Sequence, residues 1–385
     1  MQIRTWHFNI AGAILLAIGL VACSGLNRRS EIQLSDGLTS PAAPMVETAS
    51  LPPPQLRSET AASTATEAEK GTNTAVPATQ TATPTATAEF SPTPDPYAGL
   101  SIEELVMRSY GGGQIEILDT LAVNSYFTRT LIAYPSDGLT IYGFMNVPKK
   151  GTPPYPVVIA LHGYIEPGVY GTLDYTTRYA DALAREGYLV LHPNLRGYPP
   201  SDEGDNRFRV GMAVDVLNLI ALVETQGGQP GPLAQADPGA IGLWGHSMGG
   251  GITTRVITVN PNVRAAILYG AMSSDDQKNY ERIFSYFSNG QRGQEELSAP
   301  PEVFERVSPA NYLDRIQAAV GIHHGEQDVD VPLAWSVDLC QKLQELDKQV
   351  ECFTYPEQPH TFHGDGDTLF IQRTIDFYNQ WLRSR

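Results

Sequence analysis

Beyond residue 156, short runs of consecutive apolar residues alternate with longer stretches whose apolar positions recur every three to four residues. The runs at 157–161, 189–193, 241–244, 265–269, 320–323 and 350–355 predict strands. The stretches at 175–186, 209–224, 248–259 and 332–346 predict the helices between them. Strands that are apolar on both faces, each followed by a helix, imply an α/β fold: a mostly parallel sheet covered by helices on both sides. The segment 272–310 breaks this rhythm. It is polar and aromatic, partly helical by pattern, and reads equally as a small cap over the sheet's carboxyl edge or as a long connection.

Upstream the period changes to that of strands. Residues 123–134 and 139–147 are rich in β-branched and aromatic side chains, and Pro135-Ser136-Asp137-Gly138 between them is a turn signal, so a hairpin is expected. Before it, Ser101 and Glu104 have the spacing of a capping box opening a short helix to about Arg108.

Residues 24–96 lack any apolar period and consist largely of Thr, Ala, Pro and Ser, which cannot offset the entropy of ordering. They are expected to form a solvated tether with an end-to-end distance on the order of 45 Å. In front of it stand Arg4 and an apolar run from Ile10 to Ala22, too short for a membrane span and of the form of an export signal. Leu20-Val21-Ala22-Cys23 resembles the lipobox of bacterial lipoproteins, which implies cleavage before Cys23 and its lipidation. The expected organisation is a signal peptide at 1–22, a lipidated tether at 23–96 and a folded domain at 97–385, held on the extracytoplasmic face of the cell membrane by the lipid alone.

A formal net charge of -16 argues against a phosphate-backbone partner, because nucleic-acid binding needs clustered Lys and Arg. Besides Cys23 the chain has Cys340 and Cys352, placed by pattern in mid-helix and mid-strand. A helix lying on a sheet usually keeps such Cα atoms beyond bonding distance, so two separate buried thiols are expected.

The candidate chemistry centres on Gly245-His246-Ser247-Met248-Gly249, which fits G-x-S-x-G between an expected strand and an expected helix. That context makes Ser247 a candidate nucleophile. A serine hydroxyl needs a base that is itself oriented by a carboxylate, and in α/β-hydrolases these follow in the order Ser, Asp, His. Asp328 and Asp330 both lie in the loop after strand 320–323, with Asp330 nearer the next helix, where a carboxylate can serve the cap. His360 and His363 both follow the last core strand, and His360 is the natural candidate for the base. The oxyanion donors are expected to be the N–H of Met248 and, from the His162-Gly163-Tyr164 loop, the N–H of Tyr164. Glu166 near that loop is read as a solvated carboxylate. No metal site is expected: His360, His363, Asp365 and Asp367 share one Gly-containing loop with no second cluster.

Several motifs occur in a fixed order: Ser136-Asp137-Gly138, Leu161-His162-Gly163, Pro193-Asn194-Leu195-Arg196-Gly197, the serine elbow, Ser308-Pro309-Ala310-Asn311-Tyr312, and His324-Gly325 with Val331-Pro332. From about residue 123 onward this series resembles the catalytic domain of the prolyl oligopeptidase family of serine hydrolases, peptidase family S9. It is also similar to the dienelactone-hydrolase and acyl-esterase branches of the α/β-hydrolases. The resemblance implies the triad Ser247, Asp328 and His360, with Asp328 in the acid position of His-Gly-x-x-Asp-x-x-Val-Pro. It implies an α/β-hydrolase that cleaves an ester or a peptide or amide bond in a small substrate through an acyl-enzyme, with no cofactor. The chain departs from the family in having Pro359-His360-Thr361-Phe362 where many members have Gly-His-Gly-Phe. The segment before residue 97 is also too short and polar to supply the β-propeller that gates many members.

Overall fold

The computed structural model describes residues 95–383 except Tyr175. The expected signal segment, Cys23 and tether lie outside the described residues, and among those described no helix is long and apolar enough to cross a membrane. The sheet has nine strands: β1 (Glu116–Val123), β2 (Phe127–Ser136), β3 (Leu139–Pro148), β4 (Tyr155–Leu161), β5 (Leu189–Pro193), β6 (Ala236–His246), β7 (Ala265–Tyr269), β8 (Ala319–Gly325) and β9 (Val350–Tyr355). Their order is β1-β2-β3-β5-β4-β6-β7-β8-β9, antiparallel as far as the β3–β5 pair and parallel beyond it.

Alternation along β4 shows why its apolar run is continuous. Val157, Ile159 and Leu161 join one core cluster, with Val216 of α3 (Val210–Gln226), Ile252 of α4 (Met248–Val259) and Leu339 of α8 (Leu333–Glu345). Val158 and Ala160 join the other, with Leu183 of α2 (Thr177–Arg185) and Phe370 of α9 (Gly364–Leu382). Both faces of the sheet are therefore dry at β4, as the pattern requires.

The structure adds three features to the sequence reading. Residues 123–134 are not one strand: Asn124 Oδ1 accepts from the N–H groups of Tyr126 and Phe127 at 2.8 and 3.0 Å, turning the chain between β1 and β2. β1 itself is an edge strand with a mostly exposed surface, so it carries no apolar pattern. The chain closes with the helix α9, beyond the elements the pattern predicts.

The cysteine expectation is overturned: Cys340 of α8 and Cys352 of β9 form a disulfide, with Cα atoms 6.4 Å apart. α8 packs on β8 and β9, and at the sheet's edge strand the helix comes within bonding reach of a side chain on its own face. Segment 272–310 folds into short helices, α5 (Asp276–Arg282), a π-turn (Ile283–Phe287), α6 (Gln294–Leu297) and α7 (Pro301–Val307). Its anchor is Arg255 of α4, which is 3% exposed, reaches Asp276 at 2.5 Å and donates to the Val307 carbonyl at 2.6 Å.

Two stability predictions follow from these packings. Replacing both bridged cysteines by serine removes a staple across a sequence separation of 12, worth about 3 kcal/mol at most on chain-entropy grounds. The double variant should melt several degrees lower than the oxidised chain, and dithiothreitol should lower only the latter. Burial also pushes His192, His246 and His323 down from 6.5 to about 3, so each is neutral when folded. The unfolded chain binds more protons between those limits. Stability is therefore complete above about pH 6.5 and is lost towards pH 3, at about 1.4 kcal/mol per pH unit for each such group. Urea denaturation across this range should show it; a flat profile would mean these imidazoles are hydrated.

Candidate active site

Parallel strands deliver their following loops to one edge of the sheet, and the crevice opens where connections leave in opposite directions. Here that point is between β4 and its neighbours β5 and β6. The loop after β4 carries Gly163 and Tyr164, the turn after β6 carries Ser247, the loop after β8 carries Asp328, and the loop after β9 carries His360.

Ser247 sits alone between β6 and α4 with φ 54° and ψ -114°, a conformation that costs a non-glycine residue about 1–3 kcal/mol. The surroundings hold it there. Its N–H donates to the Tyr269 carbonyl at 2.9 Å, and its own carbonyl accepts from Gly250 and Met272, each at 3.0 Å. The flanking glycines permit the turn: a Cβ on Gly245 would lie 2.3 Å from the Gly249 carbonyl oxygen, and one on Gly249 would lie 2.4 Å from that of Leu161. The same spacing brings the oxyanion loop close, since a Cβ on Gly163 would be 3.2 Å from Ser247 Cβ. Met248, the other residue expected to offer an N–H, opens α4 directly behind the serine.

Of the two candidate acids, Asp328 is the one hydrogen-bonded to a candidate base. Its side chain is wholly buried, and Oδ2 lies 2.7 Å from His360 Nδ1 and 3.1 Å from His324 Nε2. Oδ1 accepts from the backbone N–H groups of Asp330 and Val331 at 2.9 and 2.8 Å. Burial alone would raise this carboxyl, but donation by His324, His360 and Val331 outweighs it and holds the group well below the usual carboxylate range. Asp330 instead has Oδ1 3.5 Å from the Tyr286 hydroxyl. Between the histidines, His360 meets Asp328, whereas the exposed His363 occupies the residue before α9 without a capping side-chain hydrogen bond. Because the carboxylate takes the Nδ1 hydrogen of His360, Nε2 is left as the ring's basic nitrogen.

His324 and His246 are two participants whose roles the sequence reading did not assign. His324 Nε2 faces two acceptors, Asp328 Oδ2 at 3.1 Å and the Val331 carbonyl at 3.0 Å, so it carries the hydrogen; its Nδ1 then accepts from Ser336 Oγ at 2.7 Å. His246 donates from Nε2 to the His360 carbonyl at 3.0 Å, tying the elbow to the base-bearing loop. Burial holds His246 at about 3, so it remains a neutral strut. Both lie in motifs the sequence shows, but their hydrogen-bond partners appear only in three dimensions.

The 272–310 segment is a cap. Arg292 pairs with Glu166 at 2.8 Å and lies 5.2 Å over the Tyr164 ring; both side chains are exposed, so Glu166 is the solvated loop carboxylate the sequence suggests, with a cation beside it. Under the cap is a cavity of about 390 Å³ lined by Tyr164, Tyr198, Arg209, Met248, Tyr280 and Ile283 among others. A cavity of about 450 Å³ lies at the start of β4 and β6, at the opposite strand ends from the serine, and has no part in this site. Asp328, Asp330 and His360 place potential ligand atoms within 4.8 Å of one another, but the acceptor positions of Asp328 are already engaged by hydrogen-bond donors. The 360–367 histidine and aspartates do not gather either, because Asp367 is held by Arg178 and by Tyr179 Oη at 3.0 Å.

Among curated relatives, the "uncharacterized peptidase YuxL" of Bacillus subtilis is 21% identical over 250 residues, covering 64% of this chain and 37% of that protein. The chain thus spans little more than a third of that relative's length. Among solved structures, a Mycobacterium tuberculosis puromycin-hydrolyzing peptidase aligns with a TM-score of 0.56 at 21% identity, over 68% of this chain and 41% of that one. Acetyl xylan esterase 1 from Thermoanaerobacterium aligns with a TM-score of 0.53 at 18% identity, over 72% and 93%. These two structures share the fold. The profile of the prolyl oligopeptidase family matches residues 175–385, more than half of the chain and the whole stretch carrying Ser247, Asp328 and His360, and the chain belongs to that family.

Proposed function

We propose that this chain is a serine hydrolase in which His360 Nε2 removes the Ser247 proton and Asp328 stabilises the resulting imidazolium. The observation that carries the reading is the buried Asp328–His360 hydrogen bond, on the same sheet edge as a strained serine elbow. Ser247 Oγ attacks the scissile carbonyl, and the N–H groups of Met248 and Tyr164 receive the oxyanion. His360 then returns the proton to the leaving group. Water, activated by the same imidazole, releases the acyl group.

The cavity under the cap suits a small acyl ester or the end of a short peptide, and the two readings rest on different relatives. The peptidase names of YuxL and the mycobacterial protein favour amide cleavage. The alignment over nearly the full length of an acetyl xylan esterase favours esters. Comparing p-nitrophenyl butyrate with aminoacyl p-nitroanilides separates them, and the ester is expected to be turned over with the higher kcat/KM.

The chain is also proposed to be lipid-anchored through Cys23 on the outer face of the cell membrane. A disulfide in the folded domain fits an oxidising compartment and supports export.

A fluorophosphonate should label Ser247 alone, and Ser247→Ala should abolish labelling. Triad members act as a unit, so His360→Ala should cost on the order of 10⁶-fold in kcat and Asp328→Ala roughly 10⁴-fold, with folding checked by melting. Loss of turnover in His363→Ala or Asp330→Ala, with His360 and Asp328 dispensable, would reassign base and acid. For the anchor, Cys23→Ala should move the protein out of the detergent phase or leave its precursor uncut. Unchanged partitioning would remove Cys23 from the account.

A further inference from the structure

We propose that Arg282 of the cap is a positioning residue for Asp328, acting through the two peptide groups that hold the carboxylate; this rests on the triad reading above. Arg282 Nε donates to the Asp330 carbonyl at 3.1 Å, and Nη2 donates to the Val329 carbonyl at 2.5 Å. The Val329 carbonyl belongs to the same peptide unit as the Asp330 N–H, and the Asp330 carbonyl to the same unit as the Val331 N–H. Those two N–H groups are the donors to Asp328 Oδ1, at 2.9 and 2.8 Å. One guanidinium therefore grips the oxygen ends of both peptide planes whose hydrogen ends grip the acid.

A planar fork suits two neighbouring acceptors, and a cation on a peptide oxygen polarises the N–H at the other end of the same unit. Arg282 fixes the orientation of both planes and strengthens both donations to Oδ1. That leaves Oδ2 aligned with His360. The guanidinium is itself set by Tyr286, whose ring centroid lies 3.7 Å from its carbon. Arg282 ends α5 and Tyr286 lies in the π-turn, so the element roofing the pocket also supports the acid. Arg292 of the same cap reaches a different loop, through Glu166 and Tyr164, and provides a built-in control.

The test uses the full chain and an activated ester. Arg282→Met should lower kcat by roughly tenfold to a hundredfold, as a small misplacement of a catalytic group does, with KM within about twofold. Arg282→Lys, able to reach one carbonyl at a time, should recover part of the loss. In an Asp328→Ala background Arg282→Met should cost nothing further, whereas Arg292→Met should cost the same factor in both backgrounds. Fluorophosphonate labelling rates serve where turnover is too slow, and Arg282→Gln replaces Arg282→Met if melting shows the latter unfolded. A rise in KM with kcat kept, or losses that multiply in the Arg282→Met/Asp328→Ala pair, would overturn the proposal. Activity that survives Ser247→Ala would instead overturn the serine-hydrolase reading, because the Arg282 comparison is made only on Ser247-dependent turnover.

Discussion

An ionised carboxylate taken wholly out of water is stable only if its lone pairs find donors within the protein, and Asp328 is such a group. Two donors are imidazoles and two are backbone N–H groups of its own loop. Satisfying them fixes much else. The loop after β8 must curl so that residues two and three positions on point back at the acid, the chain after β9 must return His360 to it, and His324 must be turned by Ser336 and the Val331 carbonyl. The strained serine stands on the same edge because β6 ends level with β7, whose Tyr269 carbonyl receives the Ser247 N–H.

Much of this was legible in the sequence for a physical reason. Strands buried on both faces leave no ambiguity about apolar runs, and G-x-S-x-G between a strand and a helix is a steric requirement written in residue types. Features carried by exposed or polar elements were harder to read. β1 has an exposed face and no period, and the turn at Asn124 uses one side-chain oxygen within what looked like a continuous strand. The disulfide depended on how closely α8 approaches an edge strand, which local pattern does not encode. His246 and His324 lie within motifs visible in the sequence, but what they do comes from which acceptors lie 3 Å away.

Some motifs of the family resemblance have a structural meaning away from the triad. Ser136 of the hairpin and Arg196 of the Pro193–Gly197 segment meet on Asp215 of α3, which is wholly buried. Arg196 donates its N–H at 2.9 Å and Nη2 at 2.8 Å, and Ser136 Oγ donates at 2.7 Å. A buried ion pair of this kind is weak evidence for stability, but it fixes where the chain after β5 turns along the cavity wall. The spacing of these residues thus records a polar junction beneath the substrate side of the sheet.

The proposed acid and base, Asp328 and His360, follow β8 and β9 of one contiguous β-α-β unit, whose helix α8 and last strand are joined by Cys340 and Cys352. Serine lies outside it. In transient openings of the native state, a cross-linked unit tends to detach or persist as a whole. Ser247 stands on a separate stretch of chain, and the donation from His246 Nε2 to the His360 carbonyl is one link that ties the elbow to this unit.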